Sequence, residues 1–581
     1  MSLEPVLVSV IASRLKAIGE RMGVVVERSA RSPLLVEGRD FSLGIYDRDG
    51  VLLEQTEYIP VLGYATTPGM RAIGERFRDT VRKGDVVLHN DPYTGGNQLS
   101  DWKVAKPVFA GEEHFGWVVI AAHQADVGGA VPGSYNPNAT DLWQEGLRIT
   151  PLKLYDGGVR RDDVWDFVFG NVRLDVVAED VTAMIGACTV GERELEALLD
   201  RYGVGTVRAA TSGLLDAAEQ AARSVIRRIP DGSYPAEWYV HDDGIDHDLE
   251  ATIRVTVEIA GDRARFDFTG TDPQVTGYVN APLAVTISSV MIAFFMIAGE
   301  DLPHNDGIMR CVEVIAPEGC LVNPRFPAPT GFGNHLSDQI AAVIMLALAP
   351  AVPKQVTACW NHLMGTIIAG VRSGSGVPYV DILINACKGG GGGTWGADGY
   401  DHIGLITSGG AIAAQDPEMF EVVNPLLLEK FEYLPDSAGA GRWRGGLGVE
   451  TILTFEDGPT QASVFGDGDR DEIAAFGILG GLAGCANAVE LTYPDGIGYR
   501  ARLKDLIPAI PTGTRYRQVA GGGGGYGDPR LRPAERVLEE ARNGVVSLAS
   551  AREDYGVAID PDTWSIDEAE TARLREGAEE S

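Results

Sequence analysis

From His89 to Ile149 the chain sets three short, polar, glycine-bearing stretches among strand-like apolar runs. They are HNDPYTGGNQLSDW (89–102), AAHQADVGG (121–129) and WQEGLRI (143–149). DVVL (85–88) precedes the first, and WVVIAA (117–122) leads into the second. Short apolar runs bounded by turn residues read as strands, and functional side chains concentrate where a rigid strand hands its last residue to a loop. A metal or acid–base site is expected here.

The remaining segments mix both kinds of element. FSLGIYDRDGVLLEQ (41–55) alternates about a DRDG turn and predicts a hairpin. Residues 180–203 and 212–230 read as two helices, the second ending at Pro230. Strand patterning begins near Pro235, a buried helix is expected over 281–299 and another over 335–350, and the chain turns β-rich after about 430. It closes with two helices broken at Asn543-Gly544. Short strands interleaved with helices, without regular βαβ spacing, predict an α+β, multi-domain chain. The expected domains are an N-terminal α+β domain over 1–230 carrying the site, a central α+β domain over 231–410, and a β-rich domain over 411–581 that ends in helices.

A net charge of −33 argues against nucleic acid or an anionic membrane as partner, and no Lys/Arg cluster in the sequence offsets it locally. The six cysteines are scattered with no CxxC, the pattern of buried thiols in a reducing, cytoplasmic setting. The opening MSLEPVLVSVIASRLKAIGERMG carries Glu4 and apolar residues at helical spacing, so an amphipathic helix is expected rather than a signal peptide. The apolar run 281–299 holds Thr286, Ser288 and Ser289 and is followed by Glu300 and Asp301, which favours a core helix over a membrane span.

Two glycine tracts, 389–393 and 521–525, do not fit GxxxxGK[ST], so no ATP site is expected; their glycines should serve positive φ and close backbone crossings. Asp101 and His123 end neighbouring strands and could meet at one point, with Asp40 as a third group. Carboxylates plus imidazole suit Zn, Mn or Fe(II). His89 and Asp91, two apart on an extended segment, share a face and form a rival pair. The HDDGIDHD turn (241–248) reads as a solvated surface. His304-Asn305-Asp306 repeats the tripeptide of 89–91 and could line a substrate pocket. No GxSxG elbow is present for serine catalysis.

These segments together resemble the hydantoinase B/oxoprolinase family. The matching stretches are GRDFSLGIYDRDG (38–50), NDPYTGGNQLSD (90–101), AHQADVGGAVPGS (122–134), WQEGLRITPLKLYDGG (143–158), VIAPEGCLVNPRFPAP (314–329), LPDSAGAGRWRGGLG (434–448) and GGGGYGDP (522–529), with VLEEARNGVVSLASAREDYGV (537–557) at the close. The resemblance spans essentially the whole chain.

It implies a subunit of an ATP-dependent hetero-oligomer, paired with a hydantoinase A-like subunit that binds ATP and Mg. The activity implied is hydrolysis of a cyclic amide: a hydantoin, 5-oxoproline or a lactam. The alternatives are a subunit of a ketone carboxylase, or a scaffold subunit whose site has degenerated. The resemblance also implies a divalent metal on Asp40, Asp101 and His123. Gln98 stands where the family carries a histidine, and Gln124 replaces a second one. A metal-bound hydroxide would attack the activated carbonyl, oriented by Asp126 or His89, so His89, Asp91 and Asp126 are the catalytic candidates.

Overall fold

The structure, a computed structural model, describes residues 4–56, 58–299 and 302–576. Met1 to Leu3 of the expected first helix, and the acidic pair Glu300 and Asp301, lie outside these residues.

The chain divides into two compact units, each assembled from separate segments. The first takes the chain up to Pro235, then Arg254–Ser337 and Ala411–Ala414; the second takes Ala236–Ile253, Asp338–Gly410 and Gln415–Ser581. The segment 231–410, expected as a central domain, is shared between the two units. The helix Leu283–Ala298 packs on Pro60–Phe77 in the first unit, whereas Met364–Val371 pairs with Thr460–Gly466 in the second. Long-range packing and strand pairing therefore divide that segment between two cores.

In the first unit, strands β1 (Phe41–Asp47), β2 (Leu52–Thr56), β3 (Val86–His89), β4 (Asp101–Ala110), β5 (Glu113–His123), β6 (Leu152–Asp156) and β7 (Val159–Arg160) form one antiparallel sheet in the order β2-β1-β5-β4-β3-β6-β7. The DRDG turn joins β1 to β2 as expected. Alternate residues of the central strands, among them Phe41, Leu43, Val104, Ile120 and Ala122, join a core with Ile11, Leu15 and Met22 of helix Pro5–Ser29 and Val181 and Met184 of helix Val176–Tyr202. At roughly 1.5–3 kcal/mol per buried aliphatic side chain, this core is a main source of the unit's stability. Ala121, of opposite parity, clusters instead with Ile59, Val61, Leu62 and Ile292. The sheet is thus covered on both sides, and its strand ends are left to carry the polar loops.

Helix Leu283–Ala298 is buried nearly all round. Its hydroxyls are satisfied inside the unit: Thr286 Oγ1 donates to Val322 O at 2.7 Å and Ser288 Oγ to Val61 O at 2.7 Å. Among the described residues no helix is long and apolar enough to cross a membrane.

In the second unit a four-stranded sheet (Pro378–Ile382, Met364–Val371, Thr460–Gly466, Lys504–Ile510) and a five-stranded sheet (Leu426–Tyr433, Val449–Phe455, Arg515–Ala520, Ala488–Thr492, Gly498–Ala501) share one apolar core, with Met364, Ile368 and Val464 from the first and Leu453, Phe455 and Tyr516 from the second. The glycine tracts lie in this unit and cross each other. Gly390 N donates to Gly521 O at 3.0 Å, Gly393 N to Gly524 O at 2.9 Å, and Gly446 N to Gly391 O at 2.7 Å. A Cβ at Gly390 would stand 2.0 Å from Gly446 O, and one at Gly523 2.0 Å from Gly391 O. No glycine of either tract has positive φ. Close approach alone explains them, so half of the expected reason is corrected. The helices Ala534–Arg542 and Leu548–Glu553 break at Asn543-Gly544 as the sequence indicates, and a further helix, Glu568–Leu574, follows them.

Candidate active site at the ends of three strands

Sheet register builds the site. Phe41 of β1 pairs with Ala122 of β5, and Asp101 of β4 pairs with His123 of β5, so residues 40, 101 and 123 meet at one corner. The backbone seals it: His123 N donates to Asp40 O at 3.1 Å, and Gln124 N to Ser100 O at 2.8 Å. Arg39, held at φ +55, turns the chain into β1 just before Asp40. A non-glycine residue in that region is uncommon and is held there only by surrounding structure.

Asp101 and His123 are in direct contact, Oδ1 to Nδ1 at 2.8 Å. Asp101 is fully buried and His123 nearly so. Burial pulls the His123 imidazole down, but the hydrogen bond to Asp101 and the charges of Asp101 and Asp40 outweigh it and leave the pKa above the ordinary value. Asp40, only partly exposed, is pushed up to about 6 by burial, against the attraction of His123. The other oxygen of Asp101 accepts from Asn97 Nδ2, and Asn97 in turn lies 3.4 Å from Lys103 Nζ and 3.5 Å from Asn334. Burial brings Lys103 down to about 8.

Gln98 stands where the resemblance places a histidine. Its Nε2 lies 3.2 Å from His123 Nδ1, and its Oε1 accepts from the Tyr135 hydroxyl at 3.1 Å. Tyr135 also contacts His335 Nε2 at 2.6 Å. The rings of His123, Tyr135 and His335 form a stack, with successive centroids 6.2 and 5.4 Å apart. Burial, helped by the charge on His123, lowers His335 to about 3, so it stands neutral. Tyr135 and His335 carry no motif that marks them in sequence. Tyr135 follows a tight turn in which Gly133 and Ser134 both take positive φ, and His335 lies 200 residues away at the start of helix Leu336–Leu348.

The remaining candidates are placed otherwise. His89 is the cross-strand partner of Lys103, which sits two residues beyond Asp101 on the same sheet face, so His89 faces the same side as the corner. Its Nε2 bonds Thr94 Oγ1 at 2.9 Å, its buried Nδ1 has no hydrogen-bond partner among the described residues, and burial holds its pKa well below the usual value. Asp91 is not paired with His89. It caps the turn at Tyr93 N (3.0 Å), accepts from Thr94 Oγ1 (3.0 Å) and pairs with Arg148 at 2.8 Å. Asp126 accepts from Gly128 N, Gly133 N, Arg173 N and Arg173 Nη1 at 2.9–3.2 Å. With both oxygens occupied twice, it organises a loop and has no free lone pair with which to orient a water. His304-Asn305-Asp306 serves packing at least in part, since Asp306 accepts from Leu52 N at 3.1 Å and pairs with Arg71 at 2.9 Å.

Two carboxylates and one imidazole at a single corner are a donor set suited to a borderline divalent ion. Among the described residues, however, no three His, Cys, Asp or Glu side chains are already drawn together as a cage. Asp101 and His123 are bonded to each other, and Asp40 acts on them through its charge.

The sheet corner and the two-unit fold define a class: the chain belongs to the Hydantoinase B/oxoprolinase family, whose model matches residues 4–529. It is 36% identical over 579 residues to the caprolactamase subunit beta of Pseudomonas jessenii, covering 98% of each chain. The crystal structure of the ATP-dependent caprolactamase from that organism matches with a TM-score of 0.92 and 34% identity, over 99% of this chain and 100% of the other. The nucleotide-free structure of acetone carboxylase shares the fold, with a TM-score of 0.91 at 20% identity over 98% of this chain and 82% of that one.

Proposed function

We propose that this chain is the catalytic subunit of an ATP-dependent cyclic-amide hydrolase and works with a hydantoinase A-like subunit that binds ATP and Mg. The observation that carries the reading is end-to-end similarity to a caprolactamase subunit beta, together with a buried carboxylate–imidazole corner at strand ends. A ring amide resists hydrolysis, so an ATP-derived activation of its oxygen, supplied by the partner, leaves this chain to position the activated carbonyl and a water.

His123 is held in one ring orientation by Asp101, which leaves its other ring nitrogen as the one group it can offer at the reacting centre, to the ion when one is bound and to a proton when none is. Tyr135 presents its hydroxyl between Gln98 and His335, where it fixes the amide of Gln98 against His123. Asp40, Asp101 and His123 would hold a divalent ion here. When bound it would supply a Lewis acid and a water of lowered pKa.

The test is reconstitution with the A-type subunit, followed by measurement of ATP consumption and ring opening on hydantoins, 5-oxoproline and lactams. Ring opening that needs both subunits and ATP supports the reading. Bicarbonate dependence with formation of a β-keto acid would replace it with a ketone carboxylase. Consumption of none of these substrates would leave a scaffold subunit.

A further inference from the structure

The sequence shows no basic cluster, yet the fold assembles one. Arg14 and Arg21 on helix Pro5–Ser29 and Arg193 and Arg201 on helix Val176–Tyr202 line a single groove of about 280 Å³ between the two helices. Ile18 and Leu198 form its apolar floor. Arg21 pairs with Glu194, whereas Arg14, Arg193 and Arg201 have no ion pair among the described residues. In a chain of net charge −33, three neighbouring guanidinium groups left without carboxylates are a local reversal of sign. Helical spacing along the sequence hides them, because the two pairs are some 180 residues apart in the chain.

Beyond Arg14 the groove opens onto the outer face of the first helix, a depression of about 450 Å³ lined by Val6, Ser9, Val10 and Ser13. Val6 is 66% exposed and Val10 37% exposed. The surface therefore runs from apolar to basic along one helix, and none of its residues takes part in the strand-end site.

We propose that this face docks an acidic segment of the A-type subunit, with apolar anchors on Val6 and Val10 and carboxylates on Arg14, Arg193 and Arg201. This rests on the proposed pairing with that subunit. Guanidinium forks take carboxylates in bidentate fashion, and an apolar anchor beside a charged rim is the anatomy of a protein interface. A short acidic segment fits better than a nucleic acid or an anionic membrane, since either of those extended polyanions would be repelled by a chain of net charge −33.

The experiment measures binding of the A-type subunit to the full chain by analytical ultracentrifugation at two salt concentrations. Wild type should bind, less tightly at the higher salt. R14E/R193E/R201E should weaken binding by roughly a hundredfold and V6S/V10S by about tenfold. The charge-matched R76E/R372E/R502E, none of which lines the groove, should stay within about threefold of wild type. Thermal melts confirm that each variant folds. Unchanged binding of the groove triple, or equal loss in the charge-matched triple, overturns the docking site while leaving the subunit pairing intact. Failure of wild type to bind the A-type subunit overturns both.

Discussion

Asp101 and His123 are the first cross-strand pair of β4 and β5, and this register brings Oδ1 and Nδ1 within reach, 2.8 Å apart. A slip of one residue in either strand would send one of the two side chains to the opposite face. H123A should therefore lower turnover of the reconstituted complex by about 10²- to 10⁴-fold. The partner's ATP binding and the melting temperature of this chain should be little changed. Full activity in that variant would remove the proposed role.

Asp40 carries a pH signature. Burial lifts its carboxyl from 3.8 to about 6, so the folded chain keeps a proton that the unfolded chain releases. The stability tied to that proton is present below about pH 4, declines as pH rises through 6, and is absent above. In chelator-treated protein, D40N should raise the melting temperature at pH 8 and raise it less at pH 5. Equal shifts at the two values would contradict burial as the cause.

Metal analysis by mass spectrometry should find close to one divalent ion per purified chain, lost in H123A and in D101N. Gln98 lies 3.2 Å from His123 Nδ1, so Q98H places a second imidazole at the corner. It should tighten the ion by roughly tenfold or more. Metal content that is unaffected by H123A would place the ion elsewhere.

Asp126 distinguishes a loop staple from an acid–base group. D126A strands the backbone donors of Gly128, Gly133 and Arg173 and leaves Arg173 without its carboxylate. About 3–5 kcal/mol of stability should disappear in denaturant unfolding. The pH dependence of the remaining activity should keep its shape. A changed pH profile with unchanged stability would restore the catalytic reading.

The glycine crossings make a sharp stability prediction. G523A drives a methyl to 2.0 Å from Gly391 O, and G390A to 2.0 Å from Gly446 O; both obstacles are backbone atoms that cannot rotate away. Each should destabilise the second unit by about 3 kcal/mol or more. G374A, with open space around the added methyl, should stay within about 0.5 kcal/mol of wild type.

Local pattern was enough for what depends on near neighbours in the chain. The hairpin at 41–55, the buried helix around Leu283–Ala298 and the break at Asn543-Gly544 follow from side-chain period and turn chemistry, which act within a few residues. The meeting of Asp40, Asp101 and His123 was legible because each sits at or beside a strand end, and Phe41 to Ala122 and Asp101 to His123 then pair as neighbouring strands must. What only the tertiary structure decided depends on contacts between distant segments. His335 reaches Tyr135 across 200 positions, Arg173 occupies Asp126 across 47, and Arg14 meets Arg193 in a groove only because two helices lie side by side. The division of 231–410 between two cores belongs with these, for burial of apolar faces is a property of the packed chain and leaves no mark on the order of its residues.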